Sequence, residues 1–410
     1  MNNIALRLAW RNLWRYKRRT WLTVGAMVFS NSLLVFSISL QFGSYDMMIN
    51  NTLQAFSGHI QVQHEIYLDD PKMRYALSDI SDTASLLRKQ LKLQSISARA
   101  AGFALASSND RSYGLQILGV EPQFEPLVST IPGLLKQGHY LQQNSAGEIV
   151  IGSVLARNLK VGLGDEITFL GSGFDDSFAA GVVEVVGIFE TGLPEIDRSM
   201  AQVSLTYFQD AFAMQDKGHS IALRAKNIDD VPALQRRIQA LLDGQEKLAV
   251  HDWEALQPGL KQAIQADMTS AWFMYIVLIV LVAFSVLNTQ LMSVLERTRE
   301  FGTMMALGLN PGNLSRLVMT ETFMMSCLGL ALGVLVGFVI TYYLSFVGFS
   351  YPGMEEMAVK FNLPDRMYPS VTFVSLMLGP GIVALGSLLA ALYPALRLYF
   401  LLPIEAMRAV

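Results

Sequence analysis

The sequence predicts an integral membrane protein with four transmembrane helices and a large α+β outer domain inserted between helices 1 and 2. Three observations carry this reading. Four apolar stretches, near 21–40, 271–292, 323–346 and 371–396, approach or exceed the roughly 20 helical residues that cross a hydrocarbon core of about 30 Å. About 225 residues of ordinary polarity (44–268) separate the first two stretches. Lys and Arg gather at alternate ends of the stretches, the bias expected of cytoplasmic loops.

Residues 1–20 read as an amphipathic helix lying on the cytoplasmic membrane surface. Trp10, Arg11, Trp14, Arg15, Arg18 and Arg19 alternate aromatic and cationic side chains, which suits a membrane-interface anchor. A nucleic-acid patch is the competing reading, but the adjoining apolar span and anionic lipid account for the charges more directly. Helix 1 is expected at 21–43. A cleaved signal peptide would have a shorter apolar core and a small-x-small site after it, so this helix is read as retained. Helix 2 is expected at 269–293, and Trp272–Leu287 holds no charge, which argues against a soluble core helix. In lipid each span must satisfy its own backbone groups and is therefore helical.

A charged connector at 294–316 joins helix 2 to helix 3 (317–346). Gly329, Gly333 and Gly337 recur every fourth residue in helix 3 and give it a smooth face for helix packing. Glu321, near the start of that helix, reads as a snorkelling or interfacial contact rather than an ion path. An outer loop is expected at 347–369, helix 4 at 370–396 and a cytoplasmic tail at 397–410. Gly379-Pro380-Gly381 is expected to kink or unwind helix 4 near its outer end. Eleven of the 31 basic residues fall in the three segments this topology places inside; with Glu321 at the cytoplasmic start of helix 3, only four of the 34 acidic ones lie on that side. Both termini are therefore predicted to be cytoplasmic.

The outer domain reads as short alternating elements. Gly58–Gln63, Leu115–Val120 and Val182–Ile188 have strand character, and 148–168 reads strand, short helix, turn, strand. Ile228–Leu242 carries helical apolar spacing, and 251–270 reads as an amphipathic stalk entering helix 2. The single Cys327 lies in helix 3, so the outer domain has no disulfide and must rely on its core.

No catalytic constellation emerges. His59, His64, His139, His219 and His251 are scattered without metal-ligand spacing, and no metal is expected. Gly171–Ser177 resembles a phosphate loop only in its glycines and reads as a flexible turn; there is no Walker motif. If ATP drives this protein, a separate subunit hydrolyses it.

The connector carries the most specific signal. Glu296, Arg299, Glu300, Phe301, Gly302, Thr303, Met304, Met305, Ala306, Leu307 and Gly308 fall in a run that resembles the E-R-x-x-E-[IF]-G-x-x-x-A-L-G coupling segment of the FtsX-like, MacB-type ABC transporter permeases. An ordinary surface turn between two helices is the alternative. The N-terminal run from Leu8 to Thr23, the Gly187–Gly192 stretch, and the tail from Tyr393 to Arg408 also resemble that family's patterns. The resemblance implies a MacB-like periplasmic domain at 44–268, with a variable subdomain about 88–205.

Further expectations follow from the resemblance. The chain would be a permease in a bacterial inner membrane, not an enzyme, and without a cofactor of its own. ATP and Mg would sit on a dimer of cytoplasmic ABC ATPase subunits, with the connector as the ATPase-coupling site. A second permease protomer, identical or paralogous, and a periplasmic acceptor or adaptor would complete the assembly. Length and the absence of a fused ATPase most resemble the lipoprotein-releasing permeases, which work by mechanotransmission on membrane lipid or lipoprotein. Two alternatives remain open: a non-transporting transmitter that controls a periplasmic hydrolase, and efflux of a hydrophobic compound with an adaptor. Secondary transport would need mid-membrane charges, which are nearly absent.

Overall fold

The computed structural model describes residues 2–15, 17–53, 57–108, 110–143, 147–244, 247–354 and 366–400, without the side chains of 2–6 and 19. It divides into a helical unit (Met1–Tyr45, Ala263–Ser350, Arg366–Val410) and an α+β unit (Asp46–Gln262, Tyr351–Asp365).

The helices among the described residues, in chain order, are α1 Asn2–Arg15, α2 Lys17–Thr52, α3 Ile80–Leu91, α4 Glu125–Val128, α5 Ser153–Leu159, α6 Pro194–Ser199, α7 Leu205–Ala211, α8 Val231–Leu241, α9 Trp253–Leu256, α10 Pro258–Glu296, α11 Thr298–Ala306, α12 Pro311–Val347 and α13 Phe373–Arg397. Four have the length and apolarity to cross a membrane: Thr20–Thr52, Pro258–Glu296, Pro311–Val347 and Phe373–Phe400. The borders drawn from hydropathy at 43/44 and 268/269 fall inside α2 and α10. Helical hydrogen bonding continues beyond the apolar window because backbone pairing does not depend on side-chain polarity. The stalk expected at 251–270 is helical only from Trp253 onward, with a break at Gln257, since Leu248–Asp252 is a strand.

Of the two outcomes expected at Gly379-Pro380-Gly381, local unwinding does not occur. Helix α13 runs through Pro380 and Pro394 without an unwound turn. Its start is fixed by a capping box in which Thr372 and Ser375 exchange side-chain-to-backbone bonds of 3.0 and 3.1 Å.

The α+β unit holds strands β1 Ile60–His64, β2 Ile96–Ser108, β3 Arg111–Val120, β4 Leu135–Gly138, β5 Glu148–Gly152, β6 Glu166–Ser172, β7 Phe178–Phe189, β8 Met200–Ser204, β9 Ser220–Leu223 and β10 Leu248–Asp252. They form one network in the order β10-β1-β9-β2-β3-β8-β5-β7-β4, with β6 bridging β2 and β7. The pairing therefore closes β2, β3, β8, β5, β7 and β6 into a ring, which removes their free edges. All six ring strands lie within 88–205. Yet β2 also pairs with β9, so that span shares its sheet with the rest of the unit. Strands read from the sequence at 58–63, 115–120 and 182–188 correspond to β1, β3 and β7. Phe169, Phe208 and Phe212 stack in the core, the last two with centroids 4.1 Å apart.

Two ion pairs are buried under this sheet. Arg99 on β2 donates from Nε and Nη2 to Glu125 on α4 at 3.0 and 2.6 Å, and both side chains are almost wholly enclosed. Arg88 on α3 pairs with Glu121, whose carboxylate also accepts the Ala98 amide at 2.8 Å. Removing one member of a buried pair strands the other charge. Glu125→Ala is expected to lower stability by roughly 3–5 kcal/mol, read as a fall in melting temperature of the full-length protein.

His59 and His219 are structural. His219 Nδ1 accepts the Ala101 amide at 2.9 Å and Nε2 lies 3.1 Å from the Met73 carbonyl. His59 Nδ1 accepts the Ala225 amide at 3.1 Å and Nε2 lies 3.1 Å from Asn50 Oδ1. Burial lowers both imidazoles to about 4, with Arg224 adding to the effect at His59. The folded state thus binds these protons more weakly than the unfolded chain. Stability from the two rings is fully present above pH 6.5 and is lost as pH falls toward 4. Between pH 7 and 5 each should cost on the order of 2 kcal/mol. Melting of the reconstituted protein across that range checks this, and His219→Gln, which keeps a donor and an acceptor but does not titrate, should flatten the dependence.

Candidate functional site

The connector between α10 and α12 folds as a short helix with two chemically distinct faces. Helix α10 stops at Glu296, Arg297 turns the chain at φ −99° and ψ 8°, and α11 begins at Thr298. At its other end Gly308 takes φ +95°, which a side chain would resist. The Gly308 and Leu309 amides donate to the Met305 and Met304 carbonyls, both at 3.0 Å, closing a Schellman turn. Asn310 then caps α12 by accepting the Gly312 amide at 3.0 Å, with Pro311 at the first helical position.

One face of α11 is anchored. Phe301, Gly302 and Met305 are buried, and Phe301 and Met305 pack with Val294, Leu314, Val318, Ala395 and Leu398 from α10, α12 and the α13 end. The other face is free of protein: Arg299, Thr303, Ala306 and Leu307, spaced i, i+4, i+7, i+8, are exposed, Leu307 to 80%. Glu296 is exposed ahead of them, while Glu300 and Met304 flank the seam half-buried. Read as a single stretch in the sequence, the coupling residues divide in the structure into an anchor and a presented surface.

The hinge itself holds a charge cluster. Arg297 is 4% exposed and donates from Nη1 to Glu321 Oε1 and Oε2 at 2.9 and 3.0 Å. Its Nε lies 3.4 Å from Glu300 Oε2, and its guanidinium sits 4.9 Å from the centroid of the Phe301 ring. Glu321 Oε1 also accepts from Asn12 Nδ2 at 2.6 Å, and Arg15 Nη1 lies 3.6 Å from Glu300 Oε1. One carboxylate on α12 therefore gathers α1 and the hinge. The contact anticipated for Glu321 exists, but it is buried and ion-paired rather than snorkelling. Arg297 and Asn12 were not expected at the site. The motifs held the signal that could have found them: Arg297 is the arginine of the E-R-x-x-E pattern, and Asn12 lies in the Leu8–Thr23 run that resembles the family's N-terminal pattern.

Helix α1 buries Ala9 and Leu13 and leaves Trp10, Arg11, Trp14 and Arg15 exposed. Trp10 and Trp14 meet edge-on at 5.7 Å, and Trp14 and Trp21 at 6.3 Å. Arg18 is exposed. The Arg19 side chain and the tail motif at 403–408 lie outside the described residues.

The glycine face of α12 meets α2. A Cβ placed on Gly329, Gly333 or Gly337 would stand 2.7, 2.5 or 2.8 Å from the Cβ of Met27, Asn31 or Val35. The two helices therefore approach to backbone distance, and Asn31 Nδ2 donates to the Gly329 carbonyl at 3.2 Å. Farther along α2, Tyr45 hydroxyl donates to Asp267 Oδ2 on α10 at 2.6 Å, and Tyr275 hydroxyl donates to Gln41 Oε1 at 2.9 Å.

Comparison with known proteins gives these features a family. The MacB-like periplasmic core domain model matches residues 20–241, and the FtsX-like permease C-terminal model matches 272–403. The chain is 27% identical over 314 residues to the lipoprotein-releasing system transmembrane protein LolC of Xylella fastidiosa (strain 9a5c), covering 73% of this chain and 74% of that one. It is 25% identical over 342 residues to the lipoprotein-releasing system transmembrane protein LolE of Haemophilus influenzae, covering 78% and 79%. A macrolide export ATP-binding/permease protein, MacB of Bdellovibrio bacteriovorus, is 22% identical over 88% of this chain but only 53% of its own length. With one model spanning more than half of the chain and the other spanning α10 to α13, the chain belongs to the FtsX-like ABC transporter permeases that carry a MacB-like periplasmic core domain, and it resembles their LolC and LolE members.

Proposed function

We propose that this permease couples ATP hydrolysis on a separate dimer of cytoplasmic ABC ATPase subunits to the extraction of lipoproteins, or similar amphiphiles, from the outer leaflet of a bacterial inner membrane. The observation that carries the proposal is similarity to two proteins named for lipoprotein release over about three quarters of the chain. Supporting it, α11 presents Arg299, Thr303, Ala306 and Leu307 on a surface that suits docking, while its other face is fixed to α10, α12 and α13.

The basic excess around α1, α11 and the end of α13 supports a cytoplasmic location for these parts and both termini, with the α+β unit in the periplasm. ATP and Mg bind the partner subunit. Differential contact of that subunit with α11 in its nucleotide states supplies the free energy that shifts the permease between conformations. A second permease protomer completes the membrane part, and the periplasmic unit hands the cargo to an acceptor.

The test is ATP-dependent release of an acylated protein from proteoliposomes containing the permease pair and its ATPase. Release to a soluble acceptor only with hydrolysable ATP supports the proposal. The MacB similarity favours efflux of a hydrophobic compound as the second reading. ATP-driven loss of a hydrophobic dye from the membrane, with no release of acylated protein, would select it.

A further inference from the structure

We infer that Glu321 is the positioning residue that makes α11, α1 and α12 move as one body, through its bonds to Arg297 and Asn12. The inference deepens the coupling reading and rests on it.

The geometry is specific. Glu321 is 5% exposed and Arg297 4%, so their two bonds of 2.9 and 3.0 Å are shielded from water and salt. The carboxylate uses both oxygens on Arg297 and shares Oε1 with Asn12 at 2.6 Å. Arg297 sits in the non-helical turn between α10 and α11, where a force on α11 would otherwise be absorbed by rotation about φ and ψ. Nη1 is held by both Glu321 oxygens, Nε faces Glu300 at 3.4 Å and the guanidinium lies over the Phe301 ring, so rotation at the hinge must break charge-assisted bonds. Asn12 extends the tie to α1, and the Arg15–Glu300 pair at 3.6 Å adds a second, solvent-exposed link between α1 and α11.

A small, partly open space adjoins the cluster. It measures about 30 Å³ and is lined by Asn12, Thr20, Thr289, Gln290, Ser293, Arg297 and Glu321 together with Leu13 and Met325. Gln290 is 1% exposed and its Oε1 has no protein partner. A polar space of this size has room for one water molecule, placed to donate to Gln290 Oε1. Apolar packing would stabilise a helix junction at least as well as a buried ion pair does. Directional restraint is what the pair adds.

The test uses the permease–ATPase complex in lipid nanodiscs with Cys327→Ser and spin labels at Leu8→Cys on α1 and Leu309→Cys after α11. Both positions are exposed, and neither belongs to the cluster or to the α11 helix face. In the otherwise unmodified complex the Leu8–Leu309 distance should be the same in the nucleotide-free and nucleotide-trapped states. In Glu321→Gln it should differ between the two states by several ångströms or broaden at least twofold, with Glu321→Asp intermediate. Asn12→Leu, which removes only the α1 arm, should also broaden it and keeps the test open if Glu321→Gln does not assemble.

A nucleotide-dependent distance in the unmodified complex, or unchanged distances in both Glu321→Gln and Asn12→Leu, would overturn the inference. The readout involves no cargo. A failure of the lipoprotein proposal therefore shows in release assays and leaves these distances as they are.

Discussion

Ala306→Phe is expected to lower ATP-driven work by the assembled complex at least tenfold while leaving membrane insertion and melting temperature at wild-type values. Ala306 lies on the exposed face of α11, between Thr303 and Leu307, and touches none of the buried residues that anchor the helix. A phenyl ring there costs the free permease almost nothing. Against a docked ATPase it must displace a closely packed surface, and a central contact commonly carries 2 kcal/mol or more, while about 1.4 kcal/mol already gives a factor of ten. Gly302→Phe provides the contrast. Gly302 is buried on the anchored side of α11, so a ring there overpacks that seam and should lower melting temperature as well as coupling. ATP turnover, coupled activity and thermal melts of both variants separate the two faces. Coupled activity at the wild-type level in Ala306→Phe would remove the docking assignment.

The second large effect concerns the seam between α2 and α12. Gly333→Leu should abolish stable assembly in mild detergent, because even a first carbon at that position stands 2.5 Å from Asn31 Cβ. Neither side can relieve the overlap by a rotamer change, since both atoms are Cβ positions fixed by their backbones. The helices must part, which removes the Asn31–Gly329 bond and the backbone contact along Met27, Asn31 and Val35. Overpacking alone costs roughly 1–3 kcal/mol, and separation of the seam adds to it. Gly25→Leu is the matched control: it lies on α2 with nothing within 4 Å of its added Cβ. Monodispersity and melting temperature of the two variants should differ sharply, with the control at wild type.

The membrane half of this fold was legible because hydropathy and glycine spacing act locally. The four spans follow from apolar length, and the 329/333/337 face follows from a period of four, although its partner helix does not. Strands rich in Val and Ile, such as β1 and β7, were equally visible. Strand β2 was not, because Ala98, Ala100, Ala101, Ala104 and Ala106 have little intrinsic β preference and are held by the strands on either side and the core beneath. The Arg99–Glu125 and Arg297–Glu321 pairs were also hidden. Their partners are 26 and 24 residues apart, joined by the fold rather than by any periodic spacing. For the coupling segment, the motif gave the residues and the helix register gave their division into an anchored and a presented face.

Drive by an ABC ATPase and action on acylated protein are testable together, from what this permease holds in its membrane. The most direct measurement is gentle extraction of the tagged permease from its native membrane, with mass spectrometry of all co-purifying proteins and their acyl chains. An ABC ATPase together with a second permease and an acylated protein is the expected result. An ATPase accompanied by a periplasmic hydrolase, with no acylated protein, would contradict lipoprotein extraction and make the chain a signal transmitter; recovery without any ATPase would contradict the coupling role of α11.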